Sequence, residues 1–255
     1  MGIETQIVDC EVAAHYIQRI NPNTPIYRFF TLEYGLETII GKKLTLVRPS
    51  LWEDPYENAL YKRNVKSAGG DVSVERLRDC LYAQCWTEEA NSDALWRIYS
   101  PNKNGFRATS TVRKLLKAIS NNNGIRKADC SIGKVNYCHQ YIVDELFSRI
   151  ALSDITDTSG LQPIKFLLIK RNAFQHEREV RLAYNHPESS ANPNGNFKSF
   201  DIDPNALFER LLFDPRIDET EFAELKAKLK GSGYNNEIGK SNMYDKPDFN
   251  SISIG

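Results

Sequence analysis

From Phe174 to Leu182 the chain reads Phe-Gln-His-Glu-Arg-Glu-Val-Arg-Leu, two carboxylates at alternate positions running into an apolar alternation. A period of two is the mark of a β-strand, and it points Glu177 and Glu179 to one side of a sheet. Like charges that close need cationic neighbours or drive one pKa upward, and both arrangements concentrate at working sites. The chain must therefore supply a sheet with polar company on one face. In the competing reading, Glu177, Arg178, Glu179 and Arg181 form a solvated edge whose cross-strand ion pairs carry little energy.

The 255 residues fit a single α+β domain spanning 1–255, because no internal repeat or long linker divides them. The polar end from 232 to 255 is expected to be ordered only in part. Thirty-three basic residues balance thirty-three acidic ones, so no global field draws the protein to nucleic acid or anionic lipid. Any nucleic-acid contact has to come from a local patch. No apolar run reaches the length of a membrane span, and Met1-Gly2-Ile3-Glu4-Thr5 lacks the basic start and apolar core of a signal peptide. A cytoplasmic protein with no membrane partner is the expectation. The five cysteines, Cys10, Cys80, Cys85, Cys130 and Cys138, contain no C-x-x-C pair, which argues for reduced thiols. Histidines 15, 139, 176 and 186 lack the helical spacing of a ligand pair, so no catalytic metal is expected.

Periodicity and turn signals predict helices over Val8–Ile20, Leu32–Ile40 behind a Thr31 cap, 74–79, Ala94–Tyr99, Val112–Ile119, Val143–Leu152 and Glu219–Leu229. Strands are predicted over Pro25–Phe30, Lys43–Val47, Cys80–Thr87, Phe106–Thr109, Ile132–Cys138, Lys165–Lys170, Phe197–Ile202 and Phe208–Phe213. Pro49–Glu57 holds an Asp-Pro bend between two aromatics and reads as a rigid turn, while 154–160 and Asn185–Asn196 read as loops. The class is α+β, a mixed and mostly antiparallel sheet flanked by helices. Arg113, Lys114 and Lys117 suit a solvated helix face better than a phosphate contact.

Three patches carry candidate chemistry: Tyr27-Arg28, Cys85-Trp86-Thr87 and Glu177-Arg178-Glu179. Cleaving the nicotinamide glycosidic bond of NAD requires a cation for the pyrophosphate, a hydroxyl near the ribose, and a carboxylate for the oxocarbenium-like transition state. In such a site Arg28 clamps phosphate, Thr87 supports the ribose, Glu179 is the catalytic carboxylate and Glu177 orients the acceptor. Tyr27 sits beside the clamp, and Trp86 or Tyr99 stacks on nicotinamide. Each residue also has a plain structural reading, Trp86 as core above all.

Tyr27-Arg28-Phe29, then Leu44 to Glu57 with Trp52-Glu53-Asp54-Pro55-Tyr56-Glu57, then Cys85-Trp86-Thr87, Leu95-Trp96-Arg97-Ile98-Tyr99 and Gly105, then Glu177-Arg178-Glu179-Val180-Arg181 together resemble the bacterial domain of unknown function 2971 family. That pattern runs Y-[RK]-[FY], S-x-F-N-D-P-F-E, C-F-S, M-W-x-x-Y, G and E-x-E-x-R. Trp52, Trp86 and Thr87 keep ring or hydroxyl relative to it, whereas Glu53 stands where the pattern has Asn. The resemblance implies a site drawing on Trp52, Asp54, Glu57 and Arg181 as well. The order of Arg28, Thr87 and Glu177-x-Glu179 is further similar to the R-S-E class of ADP-ribosyltransferases, although Cys85-Trp86-Thr87 replaces that class's Ser-Thr-Ser. This second similarity implies NAD as substrate, a protein or nucleic-acid acceptor, and, by analogy, a bacterial toxin or a part in phage defence.

Two other classes stay open. Asp54, Glu57, Glu177 and Glu179 can bind Mg²⁺ in a phosphodiesterase or nuclease. Arg28, Trp52, Asp54, Glu57 and Arg181 can instead form the polar network of a non-catalytic recognition module. A nucleophile triad has no supporting motif.

Overall fold

Strand alternation decides which face of this molecule becomes core and which is left for chemistry. The computed structural model describes residues 16–58, 64–67, 70–73, 80–122, 129–149, 161–186 and 195–246. Among them lie strands β1 (Tyr16–Gln18), β2 (Pro25–Phe30), β3 (Lys43–Val47), β4 (Asn64–Ser67), β5 (Gly70–Ser73), β6 (Leu81–Thr87) and β7 (Phe106–Thr111). There follow β8 (Cys130–Lys134), β9 (Asn136–Cys138), β10 (Ile169–Arg171), β11 (Glu179–Asn185), β12 (Phe197–Asp201), β13 (Arg210–Phe213) and β14 (Glu237–Lys240). Ten strands form one sheet in the order β1-β8-β11-β6-β2-β7-β13-β14, with β3 attached to β6 and β12 to β3. Within it β1–β8 and β13–β14 are parallel, and the central ladders are antiparallel. The α+β class, mixed and mostly antiparallel with flanking helices, is the one expected.

Tyr82 and Trp86 of β6 and Val180, Leu182 and Tyr184 of β11 share one parity, and all bury in the main core with Ile26, Phe30, Phe106, Phe208 and Phe213. Helices Leu32–Ile40, Val112–Ser120 and Glu219–Gly231 close that face through Ile39, through Val112, Leu115, Leu116 and Ile119, and through Leu229. The other parity carries only small apolar clusters. Leu81, Ala83 and Ala183 lie under Ile164 and Leu167 of helix Leu161–Leu167, with Trp52 at the margin. Phe29 lies under Leu95 and Trp96 of helix Asp93–Tyr99. Cys85, Thr87, Glu179 and Arg181 share this second parity, so the polar residues fall between two apolar pads.

β6 is also where the sheet forks. It pairs with β2 at Tyr27↔Thr87 and with β3 at Val47↔Ala83, which leaves a gap beside Cys85.

Several expected elements change. β11 begins at Glu179, and Glu177 closes a 3₁₀ turn over Asn172–Glu177. The strand expected over Lys165–Lys170 is a helix to Leu167 followed by the short strand β10, because a continuous apolar run suits either and Pro163 is tolerated in a first helical turn. The Ile132–Cys138 strand divides at Val135 into β8 and β9, and the helix expected over Val143–Leu152 lies over Gln140–Ser148. Tyr16–Gln18 is a strand where a helix over Val8–Ile20 was expected; residues 8–15, 74–79, 154–160 and 187–194 lie outside the described residues. The polar end is described as far as 246 and contains β14. No helix among the described residues is long and apolar enough to cross a membrane.

Candidate active site

Register lines up Glu179, Thr87 and Tyr27 across β11, β6 and β2, with Arg181 opposite Cys85 one step along. Glu177, two residues ahead of the strand, joins them through Arg178, whose backbone is left-handed (φ 43°, ψ 51°). This turn brings both carboxylates to one ammonium. Lys170 Nζ on β10 lies 2.7 Å from Glu177 Oε2, 2.7 Å from Glu179 Oε1 and 3.4 Å from Glu57 Oε1. Arg181 completes the cluster, donating from Nε to Glu179 Oε2 at 2.6 Å, from Nη1 to the Leu167 carbonyl at 2.6 Å, and from Nη2 to Glu57. Its guanidinium lies 4.5 Å from the centre of the Trp52 ring.

Three carboxylates thus share two cations in a place nearly closed to water, where the Arg181 side chain is 1% exposed and that of Glu179 5%. Asp54 is drawn in separately. It accepts from Arg171 at 2.8 Å and from the Tyr56 backbone at 3.0 Å, while Arg171 stacks on Tyr56 and Phe174. Buried charges persist only when paired, and here the pairing uses Asp54 Oδ1 while Oδ2 and Arg171 Nε are buried without a hydrogen-bond partner.

The two carboxyls of the E-x-E motif titrate apart. Burial raises Glu177 first, and its hydrogen bond and charge contact with Glu179 raise it further, to about 8 in spite of Lys170. For Glu179 burial pulls the same way, but Arg181, the Glu177 hydrogen bond and Lys170 outweigh it and hold its pKa well below the usual range. One stays ionised and the other keeps its proton near neutrality. Lys170 is held protonated by the carboxylates against the effect of burial.

Arg28 turns its guanidinium into the fork, where Nη1 donates to the Cys85 carbonyl and the group lies 5.1 Å from the Phe30 ring centre. Burial lowers its pKa, and the neighbouring Cys85 and Tyr99 partly offset that. Burial and then Glu179 push the Cys85 thiol up to about 12, so it is no nucleophile at neutral pH. The Tyr99 phenol is raised by burial, then by Cys85, Glu177 and Glu179, although 39% of the residue is exposed. Tyr99 therefore stands at the rim, close enough to Cys85, Glu177 and Glu179 for their charge to act on it.

Thr87 does not present a free hydroxyl; it donates to the Glu177 carbonyl at 2.6 Å and accepts from Glu89 N–H at 2.9 Å, which pins the turn. Trp86 faces the opposite way, 2% exposed and stacked on Phe208, with Nε1 bonded to Gln84. It belongs to the core and not to this face. Tyr27 is half-buried beneath the Arg107 guanidinium.

Sequence reasoning missed Lys170, Arg171 and Tyr137, whose hydroxyl accepts from the Glu179 N–H at 2.8 Å. The signal for the two cations was a Lys-Arg pair ending an apolar run shortly before the E-x-E motif. Among the described residues no group of three or more His, Cys, Asp or Glu side chains is arranged to hold a metal ion. The carboxylates that Mg²⁺ would need are already neutralised by Lys170, Arg171 and Arg181.

Three solved structures of the DarT protein of Thermus sp. 2.9 are similar to this chain at low identity. The complex with NAD+ is 14% identical at a TM-score of 0.38, covering 87% of this chain and 96% of that one. The complex with ADP-ribosylated ssDNA is 13% identical at 0.40, covering 89% and 96%. The complex with carba-NAD+ is 14% identical at 0.36, covering 87% and 97%. No curated protein matches the chain. Residues 95–182, which run from the helix bearing Tyr99 to the end of the Glu177, Glu179 and Arg181 cluster, match the family model described as protein of unknown function (DUF2971).

Proposed function

We propose that this chain is an NAD-dependent ADP-ribosyltransferase. The observation that carries the reading is the meeting of Arg28 and Glu179 at Cys85, at the fork of the sheet, with Tyr99 on its helix close to Cys85, Arg28 and both carboxylates of the E-x-E motif. In this reading Tyr99 at the open rim packs on nicotinamide, and ionised Glu179 faces the ribose as positive charge develops at its anomeric carbon. The glycosidic C–N bond breaks, nicotinamide leaves with the bonding pair, and an acceptor hydroxyl or amine forms the new bond to carbon. Glu177 takes the acceptor's proton in its ionised form, which becomes the major one only as pH rises past about 8, so transfer should speed up over that range. The acceptor is a protein or a nucleic acid, and a role in toxicity or phage defence inside a bacterial cytoplasm belongs to the same proposal.

A second reading has its own observation. Both oxygens of Glu179 are committed to Lys170 and Arg181, as they would be in the rigid polar network of a recognition module. Incubation with labelled NAD and a bacterial lysate separates the two. The enzyme reading expects nicotinamide release and transferred label, both abolished by Glu179→Gln and strongly reduced by Tyr99→Ala. Failure of the unaltered protein to consume NAD sinks it in favour of the recognition module.

A further inference from the structure

Arg107 on β7 is 7% exposed, yet it has no hydrogen-bond or ion-pair partner among the described residues, and its Nε is shut off from solvent without an acceptor. Its one strong contact is the face of Tyr27, 4.7 Å from guanidinium to ring centre. Burial lowers the Arg107 pKa, the Tyr27 hydroxyl partly offsets that, and Arg210, a charge of the same sign, lowers it further. A sequestered guanidinium without a counter-charge is a costly arrangement, and such groups call for a missing partner.

The register shows where that partner would lie. Glu179, Thr87, Tyr27, Thr109 and Arg210 form a single row across β11, β6, β2, β7 and β13, and Arg107 shares the face of Thr109. Tyr27, on which Arg107 rests, is two strand spacings from Glu179, about 10 Å. A ribose with its 5′-phosphate bridges such a span. Among the described residues Arg210 pairs with Glu237 alone, at 2.8 Å and with the two side chains 43% and 60% exposed, so it can turn toward a stronger anion at little cost. Arg28 is less suited to the task, since it spends Nη1 on the Cys85 carbonyl.

We propose that Arg107 and Arg210 form a phosphate site that takes the diphosphate of a dinucleotide whose ribose is held at Glu179. The phosphate site stands on the geometry of the two arginines, and only its assignment to a dinucleotide rests on the proposed function. The test is calorimetric titration of the full chain with inorganic pyrophosphate and with ADP, comparing the unaltered protein with Arg107→Met and Arg210→Gln. Charge-assisted bonds to phosphate are the strong ones, so Arg107→Met should weaken both ligands about tenfold or more and Arg210→Gln several-fold. Arg107→Met should also melt close to the parent, because the side chain it removes makes no hydrogen bond or ion pair among the described residues and a Met side chain can still pack on the Tyr27 ring. Absence of pyrophosphate binding by the parent, or unchanged binding by both variants, overturns the site. If pyrophosphate binds through Arg107 while NAD is never consumed, the phosphate site stands and the transferase reading falls; if NAD is consumed with an unchanged KM in Arg107→Met, the reverse holds.

Discussion

Glu179 uses both carboxylate oxygens, Oε1 toward Lys170 and Oε2 toward Arg181, so an amide in its place must aim its N–H₂ at a cation. Glu179→Gln is therefore expected to lose stability as well as activity: about 3 kcal/mol from the broken buried network, and a hundredfold or more in rate if transition-state charge is held there. Denaturant unfolding run beside NAD turnover at a concentration where the variant is folded checks both. Glu177→Gln should behave differently. Its carboxyl keeps a proton up to about pH 8, so the unfolded chain loses that proton from its ordinary value of 4.5 while the folded chain retains it. The resulting stabilisation is complete below pH 4.5 and drains away as pH rises toward 8, since over that window the folded state binds more protons. Glu179 has the opposite sign, contributing above 4.5 and losing its contribution as pH falls below that value. Unfolding free energies measured from pH 4.5 to 8 should fall with pH in the parent and flatten in Glu177→Gln; an unchanged slope would show that Glu177 is not the group holding the proton.

At the scale of elements, the turn into β11 is where the sequence was legible in kind and not in geometry. The alternation of Glu177 and Glu179 correctly placed the two carboxylates together, but for the wrong reason. Glu177 is outside the strand, and the left-handed Arg178 makes the juxtaposition. Nothing in Arg178 announces a positive φ, which L-residues other than Gly, Asn and Asp seldom adopt. Lys170 was hidden because an apolar run does not say whether it is helix or strand, and reading 165–170 as one strand obscured the helix-to-strand break that presents Lys170 to the carboxylates. The Asp-Pro turn was legible, since Asp54 and Pro55 impose their bend locally; Arg171 as the partner of Asp54 was not, being 117 residues away. A prediction belongs here. The Arg178 side chain is exposed and reaches Glu88 and Glu89 only at 3.8 and 3.7 Å, contacts of small weight. Arg178→Gly should be neutral or stabilising by up to about 1 kcal/mol, whereas Arg178→Val, branched at Cβ, should destabilise by more than 1 kcal/mol. Chemical denaturation of the pair decides it, and equal stability of the two would mean that the left-handed turn is not the strained point.

Across the whole molecule, core and site sit on opposite faces of one sheet, and the burial that sustains them is unequal. The main core draws on all three covering helices, while the site is roofed by Trp52, Ile164 and Leu167 over Leu81, Ala83 and Ala183. That roof carries Glu57, Lys170 and the turn to Glu177, so the charged cluster is completed by the less deeply anchored part of the fold. Regions with few buried apolar contacts open first, at a free energy below that of global unfolding. Ile164→Ala should therefore lower the opening free energy of 161–177 by about 2 kcal/mol or more and leave the most protected amides of β7 and β13 limited by global stability. Leu182→Ala, in the main core, should reduce protection everywhere by a similar amount. Native-state hydrogen exchange of the two variants distinguishes them. Because the cluster cannot form fully without its roof, Ile164→Ala should also let the Glu177 pKa fall back toward its ordinary value, flattening the link between opening and pH that the parent shows. Uniform loss of protection in both variants would instead mean that roof and core unfold as one unit, and that the site is as rigid as the sheet beneath it.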